Sequence, residues 1–139
     1  MGTSITSEVS SKNKYWIEKH RYYELKHFCL QYTTWKKAYA AMLNLNIPSA
    51  VMSDTPHNKY IGNPTAKQAE ALAYYSEKID LIERISRETN SELSTYILQA
   101  VTEGVSYDYL RSILEIPCNR RTYYELYRRF FWLMHIAKE

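Results

Sequence analysis

Glycine and proline are scarce in this chain, which contains 3 Gly and 4 Pro among its 139 residues. All-β folds use both residues in their many turns, so this scarcity argues against such a fold. It also excludes a P-loop and a dinucleotide-binding fingerprint, because neither glycine pattern is present. Cysteine is equally rare: Cys29 and Cys118 are too few for a disulfide framework or a four-cysteine zinc site.

Long apolar runs are missing as well. No stretch approaches the roughly 20 apolar residues that span a bilayer. Residues 1–13 are polar and lack the apolar core of a signal peptide. We therefore expect a cytoplasmic protein without a membrane partner, and two free thiols fit a reducing compartment.

Tyrosine is abundant and the net charge is mildly basic. The chain has 14 Tyr and a formal net charge of +3. Tyrosine suits interfaces and cores with a wet edge, because its ring is apolar and its hydroxyl polar. The charge permits a nucleic-acid partner without requiring one.

Hydrophobic periodicity predicts an all-α fold with a long N-terminal helix, a linker and a four-helix C-terminal domain. Residues 1–13 have no pattern and are predicted to be a disordered lead. From residue 14 to 43, apolar residues recur at steps of three and four, which predicts one helix with a single stripe. The stripe consists of Tyr22, Leu25, Phe28, Tyr32, Trp35, Tyr39 and Met42.

The alternating steps of this stripe resemble a coiled-coil seam, which favours pairing with a second helix. Residues 14–43 are therefore interpreted as an oligomerisation helix of a homodimer. Its interface is predicted at Phe28, Tyr32, Trp35 and Tyr39. The alternative is that the stripe packs against the C-terminal half of its own chain.

Residues 44–63 separate this helix from the rest. Pro48, Pro56 and Gly62 stand in a polar stretch without periodicity, which is typical of a linker. A helical domain at 64–139 follows. Its four helices are predicted at about 64–88, 92–103, 107–114 and 120–137.

Three residues predict where the last helices end and begin. Gly104 suits the left-handed position after a helix. Ser106 and Asn119 suit the N-cap positions of the two helices that follow. In the short helix, Leu110, Ile113 and Leu114 are expected to be buried.

The segment at about 106–137 has the outline of a helix-turn-helix, a short helix followed by a turn and a longer basic helix. At 100° per residue, one side of the longer helix carries Arg121, Tyr124, Glu125, Arg128, Arg129, Trp132 and His135. The residues predicted to contact DNA are Arg120, Arg121, Tyr124 and Arg128. Trp132 is assigned to a face that contacts protein, because tryptophan is common in interface hot spots.

The same segment resembles a known motif. GVSYDYLRSIL, from Gly104 to Leu114, is similar to the G-x-S-x-x-x-I/L-A-x-x-L opening of a sigma-factor region-four helix-turn-helix. IPCNRRTYYELYRRFF, from Ile116 to Phe131, resembles its recognition helix. Arg111 replaces the usual Ala, and the turn is two residues longer. A helix-turn-helix that serves as a scaffold for protein contact therefore remains an alternative.

The whole layout, with NPTAKQA opening the helix after the linker, is similar to the RinA/ArpU-type late transcriptional regulators of Gram-positive phages. This resemblance implies a small, helical protein in the cytoplasm of a bacterial host. It implies double-stranded DNA as the partner, with RNA polymerase or another protein as a further partner. Two other functions stay open: an interaction protein that redirects a host or viral protein, and a small terminase subunit.

Enzymatic residues do not form a recognisable set. His20 and His27 are seven residues apart, a spacing that does not make a metal pair by itself. Arg120 and Arg121 are expected to lower the pKa of the Cys118 thiol, but the sequence offers no base beside it. We therefore predict that the protein is not an enzyme and needs neither a metal nor another cofactor.

Overall fold

The computed structural model describes residues 13–46 and 65–139. Helix accounts for 78% of these residues and strand for none of them, which confirms the all-α prediction. The helices are α1 Lys19–Leu30, α2 Tyr32–Asn46, α3 Ala66–Thr89, α4 Ser94–Glu103, α5 Tyr107–Ser112 and α6 Arg120–Ala137. Residues 1–12 of the predicted lead and 47–63 of the predicted linker lie outside the described residues.

The N-terminal helix begins later than the predicted residue 14. Asn13 opens a turn in which its carbonyl accepts the N–H of Trp16 at 3.0 Å. The side chain of Glu18 then accepts the N–H groups of His20 and Arg21, at 2.9 and 3.2 Å, and so caps α1. The prediction was wrong here because glutamate is not a common N-cap residue.

The predicted helix over 14–43 is also interrupted. α1 ends at Leu30 and α2 begins at Tyr32, with Gln31 between them. The N–H of Gln31 donates to the carbonyls of Phe28 and Cys29, so the last turn of α1 is tightened. The expectation of one continuous N-terminal helix is therefore wrong.

The chain forms two compact units. The first contains the described residues up to Tyr32 together with Leu81–Glu139. Within it, α1 packs against α4 and α6, and α4 packs against α5 and α6. Its most deeply buried side chains are Tyr22, Leu25, Cys29, Ile82, Ile85, Ile97, Leu110, Ile116, Phe130, Phe131 and Met134.

The second unit, Thr33–Asp80, holds most of α2 and the first part of α3. Among its described residues, the buried apolar side chains are Trp35 and Ile79, at 6% exposure each. Since most of the predicted linker at 44–63 lies outside the described residues, the predicted domain bounds stay a prediction.

The aromatic stripe is largely internal to one chain. Tyr32 is 8% exposed and Trp35 6%, while Phe28 and Tyr39 are half-buried. Tyr22 of the same stripe contacts Phe131 of α6, with ring centroids 5.1 Å apart. The free surface expected at Tyr32 and Trp35 is therefore not found, because the chain itself covers both side chains. A homodimer stays a prediction.

The three predicted caps are confirmed. Gly104 has φ of 70°, and its N–H donates to the carbonyl of Ala100 at 2.9 Å. Ser106 Oγ accepts the N–H of Tyr109 at 3.1 Å. Asn119 Oδ1 accepts the N–H of Thr122 at 2.8 Å, and α6 has the predicted bounds.

The end of α5 differs from the prediction. The helix stops at Ser112, and Ile113 is 60% exposed rather than buried. Ile116 takes the buried position instead, because its N–H donates to the carbonyl of Leu110 at 3.0 Å and turns the chain inward. Both Leu110 and Ile116 are 0% exposed.

A tyrosine pair joins α1 to α6. The hydroxyl oxygens of Tyr22 and Tyr127 are 2.7 Å apart in the core. Burial raises the pKa of Tyr127 well above the usual value for tyrosine, so this hydroxyl stays protonated. The pair thus gives each of these two buried hydroxyl groups a hydrogen-bond partner.

We expect Tyr22→Phe and Tyr127→Phe each to lower the free energy of unfolding by about 1–2 kcal/mol, because each removes the hydrogen bond between the two buried hydroxyls. The double variant should lose less than the sum of the two, since both substitutions remove the same hydrogen bond. Urea denaturation of the four proteins measures this. Strict additivity would contradict the pairing.

Stability should also depend on alkaline pH. Burial raises the pKa of Tyr123 and of Tyr127, so their stabilising effect is complete below the unfolded-state pKa of about 10. Above that pH, the unfolded chain loses protons that the folded chain keeps, and each group removes up to about 1.4 kcal/mol per pH unit. We expect urea midpoints to fall from pH ~8 to pH ~11, and Tyr123→Phe to reduce the fall. An equal fall in that variant would contradict the assignment.

Candidate nucleic-acid interface

α5, the turn at residues 113–119 and α6 form a tightly connected element. Two buried side chains hold this turn in place. Ile116 packs in the core, and the hydroxyl of Tyr107 donates to the carbonyl of Cys118 at 2.7 Å. The Asn119 cap then fixes where α6 begins. The first turn of α6, which carries Arg120 and Arg121, is therefore presented from a defined position.

Arg120 is exposed and already has partners. Its Nη2 lies 2.6 Å from Asp108 Oδ1, and its guanidinium lies 5.0 Å from the ring centroid of Tyr107. The hydrogen bond that Arg120 donates to Asp108 raises the pKa of Arg120. Side-chain exposure is 56% for Arg120 and 74% for Asp108. Ion pairs this exposed contribute little to stability, so Arg120 is able to exchange Asp108 for a phosphate at low cost.

Arg121 and Arg128 line one cleft of about 220 Å³. Arg121, Glu125 and Arg128 are four and three residues apart, so they share one face of α6. The opposite wall is the N-terminal turn, through Asn13, Lys14 and Tyr15. The structure thus brings two of the four predicted DNA contacts together with a lysine.

Sequence reasoning missed Lys14, because it placed this residue at the start of a helix. The local signal was Asn13: asparagine commonly starts turns by accepting a backbone N–H two residues later. Its Oδ1 accepts the N–H of Tyr15 at 2.8 Å. That turn makes residues 13–16 a wall of the cleft rather than a turn of helix.

Tyr124 belongs to a different pocket. It is half-buried, and its ring centroid is 5.0 Å from that of Tyr123. The pocket has about 150 Å³ and lies between α1, α4 and α6, with Lys26 and Ser106 at its polar side. Of the four residues predicted to contact DNA, Arg120 and Tyr124 therefore lie outside the cleft that contains Arg121 and Arg128.

Arg129 was predicted on the outward side of α6, but its side chain forms hydrogen bonds to neighbouring segments of the protein. Its Nε donates to the carbonyl of Thr89 at 3.2 Å, and its Nη2 to that of Glu88 at 3.3 Å. These are carbonyls of the last turn of α3, which no later turn of helix satisfies. A third group, Nη1, donates to Tyr15 Oη at 3.4 Å. Arg129 therefore ties α6 to the end of α3 and to the N-terminal turn.

Trp132, predicted to lie on a protein-contact face, is half-buried. Its ring centroid is 5.6 Å from that of Tyr15. Trp132 and Arg129 thus both hold Tyr15 in place, and the wall that carries Lys14 is anchored through it.

Neither thiol is activated. Burial raises the pKa of Cys118, and the opposing effect of Arg111 is smaller, so the expected lowering by Arg120 and Arg121 is wrong. Cys29 is fully buried, and burial raises its pKa too. Within residues 13–46 and 65–139, no three His, Cys, Asp or Glu side chains come close enough to hold a metal ion. In the same ranges, no helix has the length and apolar character needed to cross a membrane.

Comparison of the chain with family models, with curated proteins and with solved structures finds no match. Its function is therefore inferred from its own residues, above all from α5, α6 and the cleft beside Lys14.

We expect Arg129→Lys to lower the free energy of unfolding by about 1–2 kcal/mol, because lysine cannot reproduce the forked donation to two carbonyls. Arg121→Lys is the matched control: this exposed arginine makes no hydrogen bond to a described residue, so its variant should stay within about 0.5 kcal/mol. Urea denaturation compares the two. Equal effects would contradict the role of Arg129.

Proposed function

We propose that this protein is a phage-type, sequence-specific DNA-binding transcriptional regulator that acts in the cytoplasm of a bacterial host. The observation that carries this proposal is the exposed, basic start of α6, presented by α5 and the turn. Arg120 and Arg121 stand at that start, and both side chains are exposed. The resemblance to region-four helix-turn-helix motifs supports the same conclusion.

The start of α6 suits an anionic partner for a physical reason. Helix N-termini carry unpaired N–H groups and the positive end of the helix dipole, and both attract phosphate. Two arginines at this end add full charges. With 18 residues, α6 also has the length to lie along a major groove.

The roles of the two arginines differ. Arg120 is held by Asp108 and Tyr107, so it suits a phosphate contact that fixes the position of the helix. Arg121 makes no ion pair with a described carboxylate. Its fork of donors therefore suits bidentate recognition of a guanine edge in the major groove.

The second candidate function is an interaction protein, and one observation favours it. Tyr109 on α5 and Ile113 directly after the helix are 41% and 60% exposed, and they are four residues apart on one face. Exposed apolar pairs of this kind occur at protein contacts. The partner of such a surface would be RNA polymerase or another protein. If the protein is instead a small terminase subunit, the same surface would contact other copies of the chain in a large ring.

The test is duplex binding by the wild type and by Arg120→Ala/Arg121→Ala, at about 50 and 200 mM salt, on phage-derived duplexes. We expect the double variant to bind at least about tenfold more weakly and to flatten the salt slope by one to two units, since each lost phosphate contact removes about one. Arg121→Ala alone should relax sequence discrimination by about 1–3 kcal/mol.

Arg84→Ala is the matched control, because Arg84 is also an exposed helical arginine paired with a carboxylate, Glu88, at 3.1 Å. It should bind DNA like the wild type. No duplex binding by the wild type even at about 50 mM salt would reject the regulator and favour the interaction protein. In that case Ile113→Ser should abolish partner capture. Sedimentation distinguishes a dimer from a terminase-like ring.

A further inference from the structure

The cleft between the N-terminal turn and α6 has an unusual concentration of unneutralised charge. Lys14, Arg121 and Arg128 line it together with a single carboxylate, Glu125. No carboxylate among the described residues lies within 4.0 Å of these three cations. Glu125 follows Arg121 by four residues, which is the weaker orientation for a helical ion pair.

Four other arginines of the same unit have a partner. Arg21 contacts Glu24 at 3.2 Å, Arg84 contacts Glu88 at 3.1 Å, and Arg120 contacts Asp108 at 2.6 Å. Arg129 is bound to the carbonyls at the end of α3. The cleft is therefore a place where three cations have gathered and none of them forms an ion pair with a described carboxylate.

Arg128 adds a second, independent observation. Its Nε is buried and has no hydrogen-bond partner among the described residues. A buried donor of a charged group without a partner costs more free energy than an ordinary unpaired group. An anion that binds this guanidinium group from the cleft would offset that cost.

We propose that this cleft is a phosphate-binding site in which Lys14 and Arg128 hold one phosphate group, while Arg121 at its edge adds positive charge. Three cations and one carboxylate leave a charge of about +2, which matches a phosphate better than a carboxylate or a halide. The guanidinium group of Arg128 supplies a planar fork and the lysine a point charge, a combination that phosphate oxygens accept. The phosphate is either a free phosphorylated compound or part of a DNA backbone, and only the second source rests on the proposed function.

Contacts within the protein hold both walls of the cleft in fixed positions. Tyr15 is held by Arg129 and by Trp132, so the adjacent Lys14 has a fixed backbone. Arg121 and Arg128 lie about two turns apart on one helix. The site is thus built before the ligand arrives, which reduces the entropy lost on binding.

The experiment is calorimetric titration with pyrophosphate, a probe that contains no base or sugar. Wild type, Lys14→Gln, Arg128→Gln, Glu125→Gln and the control Arg84→Gln are compared. We expect Lys14→Gln and Arg128→Gln to weaken binding at least about fivefold, and Arg84→Gln to leave it unchanged. Glu125→Gln should strengthen binding, because it removes the one repulsive charge. Tighter binding by Glu125→Gln could not result from a destabilised fold, so it would be specific evidence for the site.

Two outcomes would overturn the site: no pyrophosphate binding by the wild type, or equal affinities in all five proteins. Lys14→Gln keeps the test valid if Arg128→Gln does not fold, since Lys14 is exposed.

A competition experiment with a DNA duplex then identifies the source of the phosphate. If duplex displaces pyrophosphate and Lys14→Gln weakens duplex binding, the phosphate is that of DNA; if Lys14→Gln leaves duplex binding unchanged, it is a free compound. Calorimetry with pyrophosphate gives a result even if no duplex binds. The phosphate site and the proposed DNA-binding function are therefore tested independently.

Discussion

The packing of α1 on α6 is the interaction on which the candidate site depends. Tyr22 of α1 lies against Phe131 of α6 and shares a hydrogen bond with Tyr127. This contact brings the chain just before α1 next to α6. The Asn13–Trp16 turn, with Lys14, therefore becomes a wall of a cleft whose other wall is a helix more than 100 residues later in the sequence. Without that packing, Arg121 and Arg128 would be two arginines on an open helix face.

Adjacent residues of α6 have opposite environments for the same reason. Arg129 faces the last turn of α3 and is bound there, whereas Arg128 faces the cleft and keeps a buried Nε without a partner. A rotation of 100° along the helix separates the two side chains. One arginine thus stabilises the arrangement that leaves the next one available to a ligand. Trp132 acts with Arg129, because both contact Tyr15.

Local features of this fold were predictable from the sequence, and features set by distant contacts were not. Gly104, Ser106 and Asn119 were identified as caps because each acts on a backbone group within four residues of itself. The stripe of α1 and α2 was found too, but periodicity does not reveal what covers a stripe, so Tyr32 and Trp35 were assigned to a partner chain although their own chain buries them. Two of the predicted DNA contacts, Arg121 and Arg128, do share a cleft. Lys14 was missed because no local rule connects residue 14 with residue 128.

The most direct test of this account is a backbone amide spectrum of the isotope-labelled protein, recorded as a short duplex is added. If the turn before α1 and the start of α6 act as one basic surface, the amides of residues 14–16 and those of 120–128 should shift together and saturate at the same duplex concentration. Shifts confined to α5 around Tyr109 and Ile113, or shifts of α6 without the N-terminal turn, would contradict it.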